Sequence, residues 1–129
     1  MLSIKACLYF ILFNMVESIM LKNKLGFRFL EGNSWVYNAG DLEILIDPVL
    51  EKSLDFGIPF LYSGNKRIID QKVELSNLSK SSDYVLITQG FDDHAHIPTL
   101  KRLFSLNPKM KYIAPPSAKS ILLNCKISG

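Results

Sequence analysis

Two carboxylates and both histidines of a 129-residue chain fall within five consecutive positions, Asp92-Asp93-His94-Ala95-His96. Imidazole and carboxylate are the donors a borderline divalent ion such as zinc takes outside thiolate sites. Asp93, His94 and His96 are therefore the candidate metal ligands. Adjacent side chains in a tight loop can converge on one ion, and an extended backbone would turn His96 to the same side as His94. The competing readings are structural. Asp92 and Asp93 stand just ahead of a helix starting near Pro98, where carboxylates gain by capping and from the helix dipole; for Asp92 this reading is preferred. A histidine is more often satisfied by hydrogen bonding through one ring nitrogen than bound to metal. Ser34 and Ser117 have no evident base beside them, and no glycine-rich phosphate loop is present, so nucleophilic catalysis and nucleotide binding are not supported.

The elements around this cluster set its position. Asp83-Tyr84-Val85-Leu86-Ile87 reads as a strand with the buried run Val85-Leu86-Ile87, and the cluster follows it through Thr88-Gln89-Gly90-Phe91. Pro98 suits a first helical turn, Leu100, Leu103 and Phe104 make an apolar face, and Asn107-Pro108 ends the helix. Tyr112-Ile113-Ala114 is a further strand, and Pro115-Pro116-Ser117 opens a last helix over 118–125. Upstream, Leu25–Leu30, Asn33–Tyr37 and Leu42–Ile46 read as three strands of an antiparallel meander, with a turn at Ala39-Gly40-Asp41 and a stop at Asp47-Pro48. Residues 54–62 read as an ordered loop, and Val73–Leu78 as a segment ending in a serine-rich loop, Ser79–Ser82. Trp35, Phe56, Phe60 and Tyr62 are expected in the core, as aromatics most often are.

Bulk properties narrow the class. Apolar residues make up 48 % of the chain, enough for one globular domain. Net charge is +3, and the six Lys/Arg beyond Ile97 stand without any acid. They are scattered singly along elements, which reads as solvated faces and not as a nucleic-acid patch. Cys7 and Cys125 form no CxxC, which fits a reducing, cytoplasmic setting. Residues 1–21 form a separate apolar helix or extension, and 22–129 the domain proper. The run Ala6–Phe13 is open to four readings: a signal-peptide core, a weak anchor, a docked helix, or an extension upstream of a start at Met15 or Met20. It falls short of the roughly 20 residues that span a bilayer, which argues against membrane association.

A meander ending in Leu45-Ile46-Asp47-Pro48, then a strand ending in Thr88 before an Asp-His loop, resembles the N-terminal half of the metallo-β-lactamase fold. That superfamily's signature, T-H-x-H-x-D-H, falls on Thr88 through His94. Asp93 and His94 match the second ligand pair, while Gln89 and Phe91 stand where the first pair would be. The chain is also similar to a branch in photosynthetic organisms that reads T-Q-x-x-D-D-H, including its Gly32-Asn33-Ser34-Trp35 and Leu54–Pro59 stretches. The resemblance covers roughly residues 25–125. It implies a zinc-dependent hydrolase and a supporting role for Asp47 beneath the loop. It also implies a second half supplying a histidine, an aspartate and a last histidine. Here no His follows His96 and no Asp follows Asp93.

The fold expectation is therefore α/β: a partial, N-terminal-half αββα sandwich with a mixed sheet and helices on one face. The functional expectation is a truncated, hydrolase-like protein with weak or absent zinc binding and impaired or no activity. The alternative is a non-enzymatic remnant or interaction module. Either leaves an apolar sheet face that calls for a homodimer or a complementing chain.

Overall fold

A computed structural model of the chain describes residues 25–127; the apolar run 6–13 lies outside them. Five strands form one mixed sheet in the order β1-β2-β3-β4-β5. β1 (Leu25–Phe29), β2 (Trp35–Ala39) and β3 (Leu42–Ile46) are the expected antiparallel meander. The β2–β3 turn is the two-residue loop Gly40-Asp41, with Gly40 at φ 64, a left-handed angle that glycine takes without a Cβ penalty. β4 (Tyr84–Leu86) and β5 (Lys111–Ile113) then add parallel to β3.

Three helices cover one face: α1 (Gln71–Ser81), α2 (Ile97–Leu106) and α3 (Lys119–Asn124), the last entered through a 3-10 turn, Pro116–Ala118. α1 replaces the serine-rich loop expected at 79–82. Asp70 caps it, its carboxylate accepting from Lys72 N at 3.0 Å and Val73 N at 3.1 Å. Leu75, Leu78 and Ser79 follow at helical spacing and are buried. The serine hydroxyls are satisfied in place: Ser79 donates to Ser76 O at 2.8 Å, and Ser81 and Ser82 donate to the Glu43 carboxylate of β3 at 2.6 and 2.8 Å.

The core lies between sheet and helices. Val36, Leu45, Val85 and Ile87 point down from the strands onto Leu75, Leu78, Leu100 and Leu103, all at most 3 % exposed. The opposite face is apolar too. In register it carries Leu25, Phe27 and Phe29, then Tyr37 and Trp35, then Ile44 and Ile46. Phe27 stacks on Tyr37 at 4.6 Å, and Phe29 meets Trp35 at 4.7 Å with the rings tilted by 47°. Leu25, Phe27 and Phe29 are 70, 69 and 49 % exposed. The aromatic residues expected in the core are not there: Trp35 lies on this open face, and Phe56, Phe60 and Tyr62 stand on the 54–64 loop at 49, 85 and 53 % exposure. A one-sheet unit has only one buried layer, so aromatics suited to a second layer stay outside it.

Among the described residues no helix is long and apolar enough to cross a membrane. The six cations beyond Ile97 are exposed, as solvated faces require.

Candidate functional site

The parallel strands β3 and β4 end side by side, Asp47 past one and Thr88 past the other. Ligand sites in α/β sheets form beyond such carboxyl ends. Asp47 is 3 % exposed, and the whole arrangement hangs from its carboxylate. Thr88 N donates to Oδ1 at 2.7 Å, and Thr88 Oγ1 donates to Oδ2 at 2.5 Å. His94 Nδ1 lies 2.7 Å from the same Oδ2. A carboxylate only accepts, so this network assigns the proton of His94 to Nδ1 and leaves Nε2 as a lone pair. The support expected of Asp47 is present. Its backbone at φ 42 adds the strand stop, an angle Asp tolerates better than most residues.

The loop from Thr88 to His96 is tightened by a turn, with His94 N and Ala95 N both donating to Phe91 O. Gly90 holds its other side. A Cβ there would sit 2.3 Å from Ser117 O, so only glycine lets the loop lie on the 3-10 turn. Asp93 and His94 thereby meet: His94 Nε2 and Asp93 Oδ2 are 3.5 Å apart. Two donors each about 2.1 Å from one tetrahedral ion would be separated by about 3.4 Å, so the pair matches zinc geometry. The set is nevertheless short. Among the described residues no group of three or more His, Cys, Asp or Glu is placed to hold a metal. A zinc site needs about three protein donors, so no hydrolytic step follows from these residues alone.

His96 is not brought to this pair. It is 5 % exposed, and its Nδ1 lies 2.9 Å from Thr99 Oγ1. That hydroxyl already accepts from Leu50 N and Glu51 N, so its own proton goes to His96 Nδ1. Burial pushes the imidazole's pKa down, against opposing effects of Asp92, Asp55, a Ser53 backbone hydrogen bond and Glu51. His96 borders a cleft with Asp92, whereas Asp93 borders a different one. The capping expected of Asp92 and Asp93 is also not realised: the N-cap of α2 is His96 itself, three or more residues further on.

Asn33 and Lys66, which sequence reasoning passed over, and Ser34, which it weighed only as a nucleophile, surround the site. Asn33, in the β1–β2 turn, donates from Nδ2 to Asp93 Oδ2 at 3.0 Å and Asp93 O at 3.3 Å. The same nitrogen lies 3.3 Å from His94 Nε2, whose lone pair can accept from it. The amide therefore occupies the space between the two candidate ligands. An Asn beside Gly32 is ordinary turn chemistry, so the sequence carries no signal of this contact. Ser34, fully buried, donates to Asp47 O and accepts from Val49 N and Lys66 Nζ, so its hydroxyl is committed to structure.

Lys66 also donates to Glu31 O. Desolvation lowers its pKa to about 8, against the opposing pull of Glu31. The Glu31 carboxylate is engaged by the backbone N–H groups of Arg67, Ile68 and Ile69, which hold its pKa down. Among the described residues Cys125 is buried with no disulfide partner, and burial pushes its thiol pKa up, which makes it a poor thiolate ligand or nucleophile.

Comparison with curated proteins and with solved structures finds no match. A family model described as the beta-lactamase superfamily domain matches residues 26–128, spanning the meander, the Asp47–His94 loop and all three helices. The chain belongs to that superfamily, and its mixed sheet with helices on one face is the N-terminal half of the metallo-β-lactamase fold.

Proposed function

We propose that this chain is a hydrolase-like unit of the superfamily that contributes Asp93 and His94 to a zinc site and takes the remaining donors from a second sheet docked on its open face. The observation that carries this reading is the Asp47–His94 hydrogen bond at 2.7 Å, which leaves Nε2 unprotonated beside Asp93. Carboxylate–histidine pairs of this kind orient metal-bound imidazoles and raise their basicity. A divalent ion held there would supply Lewis-acid activation of water or of a carbonyl or phosphoryl oxygen. With two donors from this chain, affinity is weak and turnover by it alone is impaired or absent. His96 serves packing at the start of α2. The docked sheet belongs to a complementing chain or to a second copy. Its setting on this reading is the cytoplasm.

A second reading has its own observation. The Asn33 amide already satisfies both acceptors that a cation would need. On that reading the chain is an interaction module without metal or turnover. Calorimetric titration of the full chain with zinc separates the two. Weak binding that disappears in Asp93→Ala and His94→Ala and survives in His96→Gln supports the metal reading. Binding unchanged by both of the first two substitutions, or no binding at all, overturns it.

A further inference from the structure

Among the described residues the side chain of Lys66 is held by two oxygens that only accept from it. Its Nζ donates to Glu31 O and, at 3.1 Å, to Ser34 Oγ. The Ser34 proton is already given to Asp47 O at 2.9 Å, so the hydroxyl has nothing to donate back. A neutral amine carries two N–H donors and one lone pair, so these two acceptors use both donors and leave the lone pair over. The space beside the nitrogen is open: a Cβ added to Gly32 would meet Lys66 Nζ at 4.0 Å and no other atom within that distance outside its chain neighbours. Burial lowers the Lys66 pKa to about 8 against the opposing pull of Glu31. At about pH 7.5 roughly a quarter of the side chain is then free amine, against about one part in a thousand of an ordinary lysine.

Lys66 and Gly32 border a pocket of about 320 Å3 that also reaches Asp93, within the usual range for small-ligand sites. Val49, Leu54, Phe56 and Tyr62 form its apolar wall, the two rings 5.6 Å apart and tilted by 47°. The loop carrying the rings is closed by reciprocal backbone bonds between Leu54 and Gly64, both 2.8 Å. Glu31 and Asp93 are in the lining as well. Their carboxylates repel an anionic ligand and favour positive charge that develops at Nζ. A ligand that enters neutral and becomes cationic on the nitrogen matches both properties.

We propose that Lys66 is a nucleophilic amine whose pocket takes a neutral aryl aldehyde and joins it as a Schiff base. The Nζ lone pair adds to the carbonyl carbon, and the C=O π pair moves to oxygen, which takes up the proton that Nζ sheds. The hydroxyl then leaves with one more proton as water, and the nitrogen pair closes the C=N bond. The net change is one ammonium and one aldehyde to one protonated imine and one water, with nothing oxidised or reduced. A lysine desolvated against apolar groups is the form that makes such bonds. The aryl group lies on Phe56 and Tyr62, and Glu31 and Asp93 balance the iminium charge. The reaction calls on no metal, so the inference stands apart from the zinc reading.

The test is reductive trapping on the full chain, with chelator present. The chain is held at about pH 7.5 with cyanoborohydride and graded aldehyde, and the alkylated lysines are read by peptide mass spectrometry. Each rate at Lys66 is taken as a ratio to the mean of the other lysines, which removes the aldehyde's own reactivity. With benzaldehyde that ratio is expected to be at least about ten, and the rate at Lys66 to saturate in aldehyde. Propanal, which lacks the ring, should give a lower ratio than benzaldehyde. The anion 4-formylbenzoate should give a lower ratio than its neutral methyl ester. Tyr62→Ala, on an exposed loop, should lower the benzaldehyde ratio and leave the propanal ratio and the 13C titration of Lys66 unchanged. Labelling spread evenly over the lysines overturns the proposal. So does a propanal ratio equal to that of benzaldehyde, or a 4-formylbenzoate ratio equal to that of the ester, because the pocket would then select neither ring nor charge. A benzaldehyde ratio that stands unchanged in Tyr62→Ala overturns it too.

Discussion

Removing the Asp47 carboxylate is the sharpest perturbation of this architecture. Three donors converge on it: Thr88 N, Thr88 Oγ1 and His94 Nδ1, at 2.7, 2.5 and 2.7 Å. A hydrogen bond to a charged group contributes about 1.5–3 kcal/mol net, and an orphaned buried N–H costs about 1–3 kcal/mol. The three bonds share one acceptor and do not add fully. Alanine at φ 42 adds about 1 kcal/mol of backbone strain. Asp47→Ala should therefore destabilise by about 4 kcal/mol, which for a domain of this size lowers the thermal midpoint by about 15 °C.

Asp47→Asn separates scaffold from chemistry. Asparagine tolerates the left-handed backbone and can still accept from Thr88 N, so the stability loss shrinks to about 1–2 kcal/mol. Its amide, however, donates where the carboxylate accepted. His94 must then shed the Nδ1 proton and carry it on Nε2, which removes the lone pair facing Asp93 and Asn33. Imidazole 15N shifts read this directly: the Nδ1–H pattern of the parent chain should invert, and zinc binding should weaken alongside. An unchanged tautomer in Asp47→Asn, together with a loss below about 1 kcal/mol in Asp47→Ala, would refute the assigned network.

Four further outcomes are expected. Gly90→Ala, whose Cβ would clash with Ser117 O, should cost about 1–3 kcal/mol in urea unfolding, and a neutral result would mean the loop does not rest on the 3-10 turn. Asn33→Ala frees both acceptors and should tighten zinc binding by about tenfold; weaker binding would make the amide a support and not a competitor. The Lys66 ammonium should titrate by 13C NMR near its lowered value of about 8, well below the other lysines. Because the native chain releases this proton before the unfolded one does, its contribution to stability should rise from about pH 8 to the unfolded lysine value near 10.4, and the gap between parent and Lys66→Met should widen over that window. Phe27→Glu on the open face should reduce self-association in sedimentation with little loss of unfolding midpoint, whereas Leu45→Ala on the buried face should cost about 2–5 kcal/mol.

What could be read from the chain follows from which interactions are local. Strand alternation in 25–46, the Gly40 turn and the Pro98 helix start are set within a few residues, and all three stand in the structure. α1 was hidden because Ser79 and Ser81 read as loop residues until their hydroxyls are seen bonding to Ser76 O and to the Glu43 carboxylate. The motif placed Asp93 and His94 together, but the separation of His96 depends on Thr99 and on the backbone of Leu50 and Glu51, more than 40 positions away. Asn33 and Lys66 reach the site across 60 and 32 positions of sequence, to Asp93 and Ser34. No local pattern marks such contacts.

The strand patterns also carry an argument about layers. In a sheet covered on one side, apolar residues should point to the helices and polar ones to water. Here β1 does the reverse: Leu25, Phe27 and Phe29 face outward, while Arg28 turns inward and reaches Glu74 of α1 at 2.5 Å. A one-residue slip would exchange the two faces, so the register is being held against the simple preference. Val36, Leu45 and Val85 anchor it from below. The stacked Phe27–Tyr37 pair and the tilted Phe29–Trp35 pair support it from above, as cross-strand aromatic pairs do. A sheet apolar on both faces is the central layer of a sandwich, so the ladder from Leu25 to Ile46 is built for a second sheet. On the proposed reading the remaining donors for Asp93 and His94 arrive on the sheet that covers this face, which would make association and metal binding a single linked equilibrium. Zinc should therefore promote association of the chain with its partner or itself, and Phe27→Glu should weaken zinc binding without touching either ligand. Zinc affinity indifferent to Phe27→Glu would separate the open face from the site.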